Sequence, residues 1–217
     1  MSKTFFISDN HFFHENIKIY CSRGYGNYFQ RQNNQSLWFK TIGEMNSVMV
    51  ERWNEKVSNK DEVYCLGDFF MGKSDLWLDL FKLLNGSKIH LICGNHDYKK
   101  SNINPKILEC GFASIQDELY LDIVNEGKKE VLWLNHYPPG ISKDKRELFR
   151  PPASRNYSLA LFGHIHDKAY WFNNNGKLAI NAGSDLLDFY PCELSELIAK
   201  TKVYPEGWLP GKSEDAP

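Results

Sequence analysis

The sequence lacks any close pair of cysteines. Its five, Cys21, Cys65, Cys93, Cys110 and Cys192, are scattered, and none forms a C-x-x-C pair. An odd, dispersed set points to reduced thiols and a cytoplasmic protein. No apolar run approaches the roughly 18 residues that a membrane-spanning helix needs. The first residues lead straight into a strand-like run, so neither a signal segment nor export is expected. There is no excess of basic charge: the formal net charge is −1 over 217 residues. That argues against a dedicated duplex-binding surface, though not against a local phosphate-binding groove. No internal repeat or composition shift divides the chain. Residues 1–204 read as one domain, and 205–217, rich in proline and glycine, as a flexible tail. With 14% aromatic residues, a sizeable core is available, which argues against a disordered chain.

What the sequence does have is a set of apolar runs that each end in polar chemistry. Phe5-Phe6-Ile7 leads to Asp9-Asn10-His11. Val63 to Leu66 leads to Gly67-Asp68. Ile89 to Cys93 leads to Gly94-Asn95-His96-Asp97. Val131 to Leu134 leads to Asn135-His136. Leu159 to Phe162 leads to Gly163-His164-Ile165-His166. Short apolar runs stopped by glycine read as buried strands. In open α/β sheets, ligands bind at the carboxyl ends of such strands. A single motif of this kind is as readily a polar turn. Five in series, holding most of the seven histidines, call for a shared site.

The runs alternate with helical patterns, giving β-α-β-α-β and a parallel sheet. Ser36 to Val57 reads as an amphipathic helix with Trp38, Ile42, Met45, Met49, Trp53 and Val57 on one face. A second helix, capped by Ser74 and ended by Gly86, turns Leu76, Leu80, Phe81 and Leu84 inward. Pro105 to Cys110 is a short helix stopped by Gly111. Hairpins are expected around Asn125 to Lys128 and Asn173 to Gly176, and a terminal helix over Glu193 to Lys200. Phe12 to Gln35 reads as an aromatic-rich loop. It is either a surface cover or a recognition loop in which aromatics stack on a base and Arg23 or Arg31 meets a phosphate. The stretch from Pro138 to Arg155, with Arg146 and Arg150, is either a solvated loop or a substrate-phosphate contact.

The ordered set Asp-x-His, Gly-Asp, Gly-Asn-His-Asp, a lone His and Gly-His-x-His resembles the calcineurin-like metallophosphoesterase superfamily, in its small bacterial and phage forms. The resemblance implies an α/β fold, a four-layer α/β/β/α sandwich of two mixed sheets. It implies two divalent metal ions: one held by Asp9, His11 and His166, the other by Asn95, His136 and His164, with Asp68 between them. Mixed oxygen and nitrogen donors suit manganese, with iron, zinc and nickel as alternatives. No thiolate stands at these positions, which disfavours a structural zinc site. The resemblance gives His96 the role of general acid toward the leaving oxygen, with Asp97 orienting its ring. His14, Arg23, Arg146 and Arg150 are candidate substrate contacts. The implied activity is hydrolysis of phosphodiesters or phosphomonoesters, of nucleotides or nucleic-acid ends, by a metal-bound hydroxide. A phosphoprotein phosphatase and a non-catalytic metal-binding interaction module are the alternatives.

Overall fold

In the computed structural model, residues 2–125, 127–140, 153–204 and 206–207 are described. The chain opens with β1 (Thr4–Ile7). Two short helices follow, α1 (Ile17–Tyr20) and α2 (Tyr28–Asn33), where the sequence suggests only loop. The second is fixed by a capping box between Asn27 and Gln30, a local signal that the flanking glycines obscure. Helix α3 (Ile42–Lys56) begins six residues later than its apolar periodicity suggests. Thr41 accepts the Glu44 amide and Glu44 accepts back from Thr41, so the cap sets the start and leaves Trp38 outside the helix.

Next come β2 (Glu62–Cys65), α4 (Trp77–Phe81) and β3 (Lys88–Ile92). Ser74 does not cap α4, which is entered through a single 3-10 turn, and Leu76 is 50% exposed rather than inward. The two-residue strands β4 (Tyr98–Lys99) and β5 (Asn102–Ile103) pair directly after Asp97. Then follow α5 (Pro105–Cys110), closed by Gly111 at φ 95, and β6 (Ser114–Gln116). A long hairpin, β7 (Glu118–Asn125) with β8 (Lys128–Asn135), leads to β9 (Leu159–Phe162). A second hairpin, β10 (Trp171–Asn174) with β11 (Lys177–Asn181), precedes α6 (Leu194–Lys200). The expected tail lies almost wholly outside the described residues; Gly207, which is described, donates its amide to the Trp171 carbonyl.

The first sheet has the order β1-β2-β3-β6, and the second β10-β11-β9-β8-β7. All strand pairs of the first sheet are parallel, where a mixed sheet is expected; helical crossovers link its strands, and only parallel neighbours need them. The second sheet is mixed. Alternation explains the apolar runs. Phe5, Ile7, Val63, Cys65 and Leu91 pack on Met45, Met49 and Trp53 of α3. Phe6, Tyr64, Leu66 and Ile92 face the other way, onto Leu132, Leu134, Leu161 and Ile180 of the second sheet. A sheet buried on both faces reads as continuous hydrophobicity. The outer face of the second sheet carries Trp133, Ala160, Phe162 and Ala179, packed against Tyr157. Helix α6 instead adds Leu197 to the core between the sheets.

Trp53 is fully buried, and its indole N–H donates to the Asn85 carbonyl at 2.8 Å. Trp53→Ala is expected to cost about 3–5 kcal/mol in denaturant unfolding, as large aromatic deletions do. A cost below about 1 kcal/mol would contradict this packing of α3 on the sheet.

Candidate metal centre

Every strand that the sequence marks delivers its polar residues to one place. Beyond β1 and β2 the backbones stay paired: the Asp9 amide donates to the Gly67 carbonyl and the His11 amide to the Asp68 carbonyl. The Gly163 amide donates to the His136 carbonyl. This parallel continuation brings Asp9, His11, Asp68, Asn95, His136, His164 and His166 together.

The approach is too close for side chains at two glycines. A Cβ on Gly94 would lie 2.7 Å from the Asp68 amide nitrogen and 2.8 Å from His136 Cε1. One on Gly163 would overlap Ser8 Oγ and the Asp9 carboxylate. The delivered residues are themselves strained. Asp9, His11, Asp68, His164 and His166 all take left-handed backbone, with φ of 54, 48, 52, 71 and 51°. Such conformations cost about 1–3 kcal/mol each outside glycine, persist only where surroundings over-determine them, and cluster at functional sites.

Asp68 is the hub. Its Oδ2 lies 3.6 Å from His11 Nε2, 3.5 Å from His136 Nε2 and 3.9 Å from His96 Nε2. Asn95 Oδ1 lies 3.3 Å from His136 Nε2 and 3.1 Å from His164 Nδ1. Donor atoms of Asp9, His11 and His166 lie within 4.8 Å of one another, as do those of Asp9, Asp68 and His136. Burial alone would raise the Asp68 carboxyl, but His136, His11 and His96 hold it below its usual value. Burial opposes charge on His136 too, yet Asp68 lifts it to about 9. Burial holds His11 well below the usual imidazole value.

Residues 45–188 match the calcineurin-like phosphoesterase superfamily domain. The chain belongs to this superfamily. The matched span begins after Asp9 and His11, whose place in the site rests on the geometry. A protein of Methanocaldococcus jannaschii, itself uncharacterized, is 39% identical over 99 residues, 45% of this chain and 48% of its own length. The chain thus spans about half the length of that curated relative. A crystal structure of an Aquifex aeolicus protein of unknown function covers 92% of this chain and 99% of its own, at 26% identity and a TM-score of 0.60.

The phosphoesterase domain carries residues that fit cations. Both ring nitrogens of His11 are buried without a hydrogen-bond partner, a costly state for an imidazole unless something else fills it. His136 turns its Nδ1 to the Leu66 carbonyl at 2.7 Å, leaving Nε2 toward the centre. Ligating histidines are oriented by such outer contacts.

The other candidates divide. His96 stands at the rim with its side chain 40% exposed and its ring centroid 5.4 Å from that of His11. His14 lies on the same side, its ring 5.6 Å from His11 and its Nδ1 buried without a partner. Asp97 departs from expectation. Its carboxylate does not hold the His96 ring; it accepts the amides of Asp68 and Gly94 at 2.8 and 2.7 Å and of Phe69 at 3.1 Å. Full burial under three amides makes it a clamp between two motifs. Burial and then the Asp68 charge push its pKa up to about 7.

Arg23 is also corrected. It is fully buried behind the centre, hydrogen-bonded to Asp185 and to the Asp9 and Asn10 carbonyls, and meets no substrate face. Arg146 and Arg150 lie outside the described residues. The sequence expectation omits Asp185, whose Oδ2 lies 3.0 Å from His166 Nδ1. The signal is present: Ala182 to Asp185 follows β11 as the other motifs follow their strands. A thiol is also near, since Cys21 clusters with His166 and Asp185. Burial, then Asp185, raises its pKa and keeps it protonated.

His136 holds a proton below about pH 9 in the metal-free chain, and a bound cation must displace it. Mn²⁺ affinity should therefore rise with pH up to about 9, by as much as ~10-fold per unit for one proton. Titration calorimetry in buffers of different protonation enthalpy measures the release. A pH-independent affinity without proton release would contradict His136 as a ligand.

Proposed function

We propose that the chain is a two-metal phosphoesterase, acting on phosphodiesters or phosphomonoesters of nucleotides or nucleic-acid ends. The observation that carries this reading is the convergence of three imidazoles on Asp68 Oδ2, one of them, His11, with neither ring nitrogen in a hydrogen bond. Asp9, His11 and His166 would hold one divalent cation and Asn95, His136 and His164 the other, with Asp68 facing both. Manganese suits the donors, with iron, zinc or nickel as alternatives. When bound, such a pair supplies Lewis acidity to a phosphoryl oxygen and to the attacking water.

The chain's own residues do the rest. Two aspartates and a neutral Asn95 leave two divalent ions under-neutralised, so the site favours an anionic ester. His96 stands half-exposed at the rim, where its Nε2 can hold a proton for the leaving oxygen. Its backbone amide donates to Asp68 Oδ1 at 2.8 Å, which fixes the loop that carries it. Asp97 keeps that loop against the Gly67-Asp68 turn. His14, its ring 5.6 Å from that of His11, would meet a substrate oxygen. Tyr20, 67% exposed with its ring 6.3 Å from His14, offers a stacking face beside the centre and favours a nucleotide-like group.

The frame we infer is a single domain over residues 1–204, four-layered as the resemblance implies. All five cysteines are free and buried, which supports a reducing, cytoplasmic setting. Among the described residues no helix is long and apolar enough to cross a membrane.

His96→Asn is expected to lower turnover by ~10²–10⁴-fold on an alkyl phosphoester while metal content persists. The loss should shrink with a p-nitrophenyl ester, whose leaving group needs no proton. An equal loss on both esters would remove the general-acid role. For the substrate class, Mn²⁺-supplemented hydrolysis of bis(p-nitrophenyl) phosphate is compared with that of p-nitrophenyl phosphate. Faster diester turnover assigns a phosphodiesterase, faster monoester turnover a phosphatase. Neither rate above background, across several metals, would remove the enzymatic reading.

A further inference from the structure

A buried ion pair stands directly behind one side of the proposed centre. Arg23 Nε donates to Asp185 Oδ1 at 2.7 Å and Nη2 to Oδ2 at 3.2 Å, with both side chains fully buried. The rest of the guanidinium is spent on the first motif. Nη2 donates to the Asp9 carbonyl at 2.7 Å and to Ser184 Oγ at 3.2 Å, and Nη1 to the Asn10 carbonyl at 2.5 Å. Ser184 Oγ donates to the same Asp9 carbonyl at 2.8 Å. Asp185 Oδ2 then faces His166 Nδ1 at 3.0 Å. One network therefore fixes the strained backbone of Asp9 and the ring of His166. On the other side of the centre, His136 turns its Nδ1 to a neutral carbonyl, that of Leu66.

A buried pair of this kind is weak evidence for stability, because desolvation offsets most of the attraction. Its geometry has a clearer use. A carboxylate on the Nδ1–H of an imidazole fixes the tautomer, aims Nε2 at a cation and raises its basicity. Arg23 meets both oxygens of the Asp185 carboxylate and so fixes the face it turns to His166. The second sheet supplies Asp185 because the segment after β11 runs beside β1, with the Ser184 amide donating to the Ser8 carbonyl at 2.8 Å.

We propose that Asp185 and Arg23 are positioning residues that set the cation affinity of the side of the centre formed by Asp9, His11 and His166. This rests on the two-metal reading above and deepens it. In this arrangement His166 would donate Nδ1–H to Asp185, 3.0 Å away, and present Nε2 to the ion.

The direct test leaves the chain unmutated. Long-range proton–nitrogen NMR of the zinc-loaded protein should show His166 protonated at Nδ1 and metal-shifted at Nε2. The opposite tautomer would overturn the proposal. Asp185→Asn should weaken one of two Mn²⁺ ions by about 10–100-fold, as outer-contact losses do. The manganese spectrum in electron paramagnetic resonance should then pass from a spin-coupled pair to an isolated ion, and excess Mn²⁺ should restore turnover. Arg23→Gln/Asp185→Asn removes both charges and serves if the single variant does not fold. Wild-type affinity for both ions in either folded variant would overturn the proposal alone. A wild-type chain that binds no Mn²⁺, Zn²⁺ or Co²⁺ would overturn the two-metal reading with it.

Discussion

The arrangement depends on keeping one carboxylate, that of Asp68, buried and ionised. In a dry interior a lone carboxylate would take up a proton. Here His136, His11 and His96 converge on one of its oxygens, while the His96 amide donates to the other. The glycines follow from this. Gly94 has no Cβ because the Asp68 backbone and the His136 ring already fill the space. Asp97 follows too, since it gathers the amides of Gly94, Asp68 and Phe69 and so locks two strand ends together. Two sheets packed face to face are what allow imidazoles from both to reach the same atom.

The cost is carried by the backbone. Five residues of the proposed centre sit at left-handed φ. Each is tied down by neighbours rather than by its own preference: Asp9 through Arg23 and Ser184, and His164 through its amide to the Asp9 carboxylate at 2.9 Å. Strained backbone held by its neighbours in this way is a means of pre-organising charge at a site.

Much of this was legible in the sequence, because each motif is local. A strand followed by glycine and a hydrogen-bonding residue signals itself within eight or so positions, so the strand ends and their meeting point were readable. The long-range partners were not. Arg23 looks like any arginine in an aromatic-rich loop. Only the crossing of β1 with the segment after β11 shows that it turns inward to Asp185. Asp97 follows His96 directly, which suggests a pair, yet a tight turn points consecutive side chains apart, and three amides take its carboxylate. The start of α3 is hidden for a different reason. Apolar spacing runs on through Trp38, whereas the Thr41–Glu44 capping box sets the first turn.

The most direct test of the central claim is anomalous diffraction from crystals of the chain loaded with Mn²⁺. Two manganese peaks, one on each side of the Asp68 carboxylate, are predicted, the first among Asp9, His11 and His166 and the second among Asn95, His136 and His164. Their joint loss in Asp68→Asn would secure Asp68 as the shared ligand. A map with no peak at Asp68, in crystals that bind manganese elsewhere, would contradict the account.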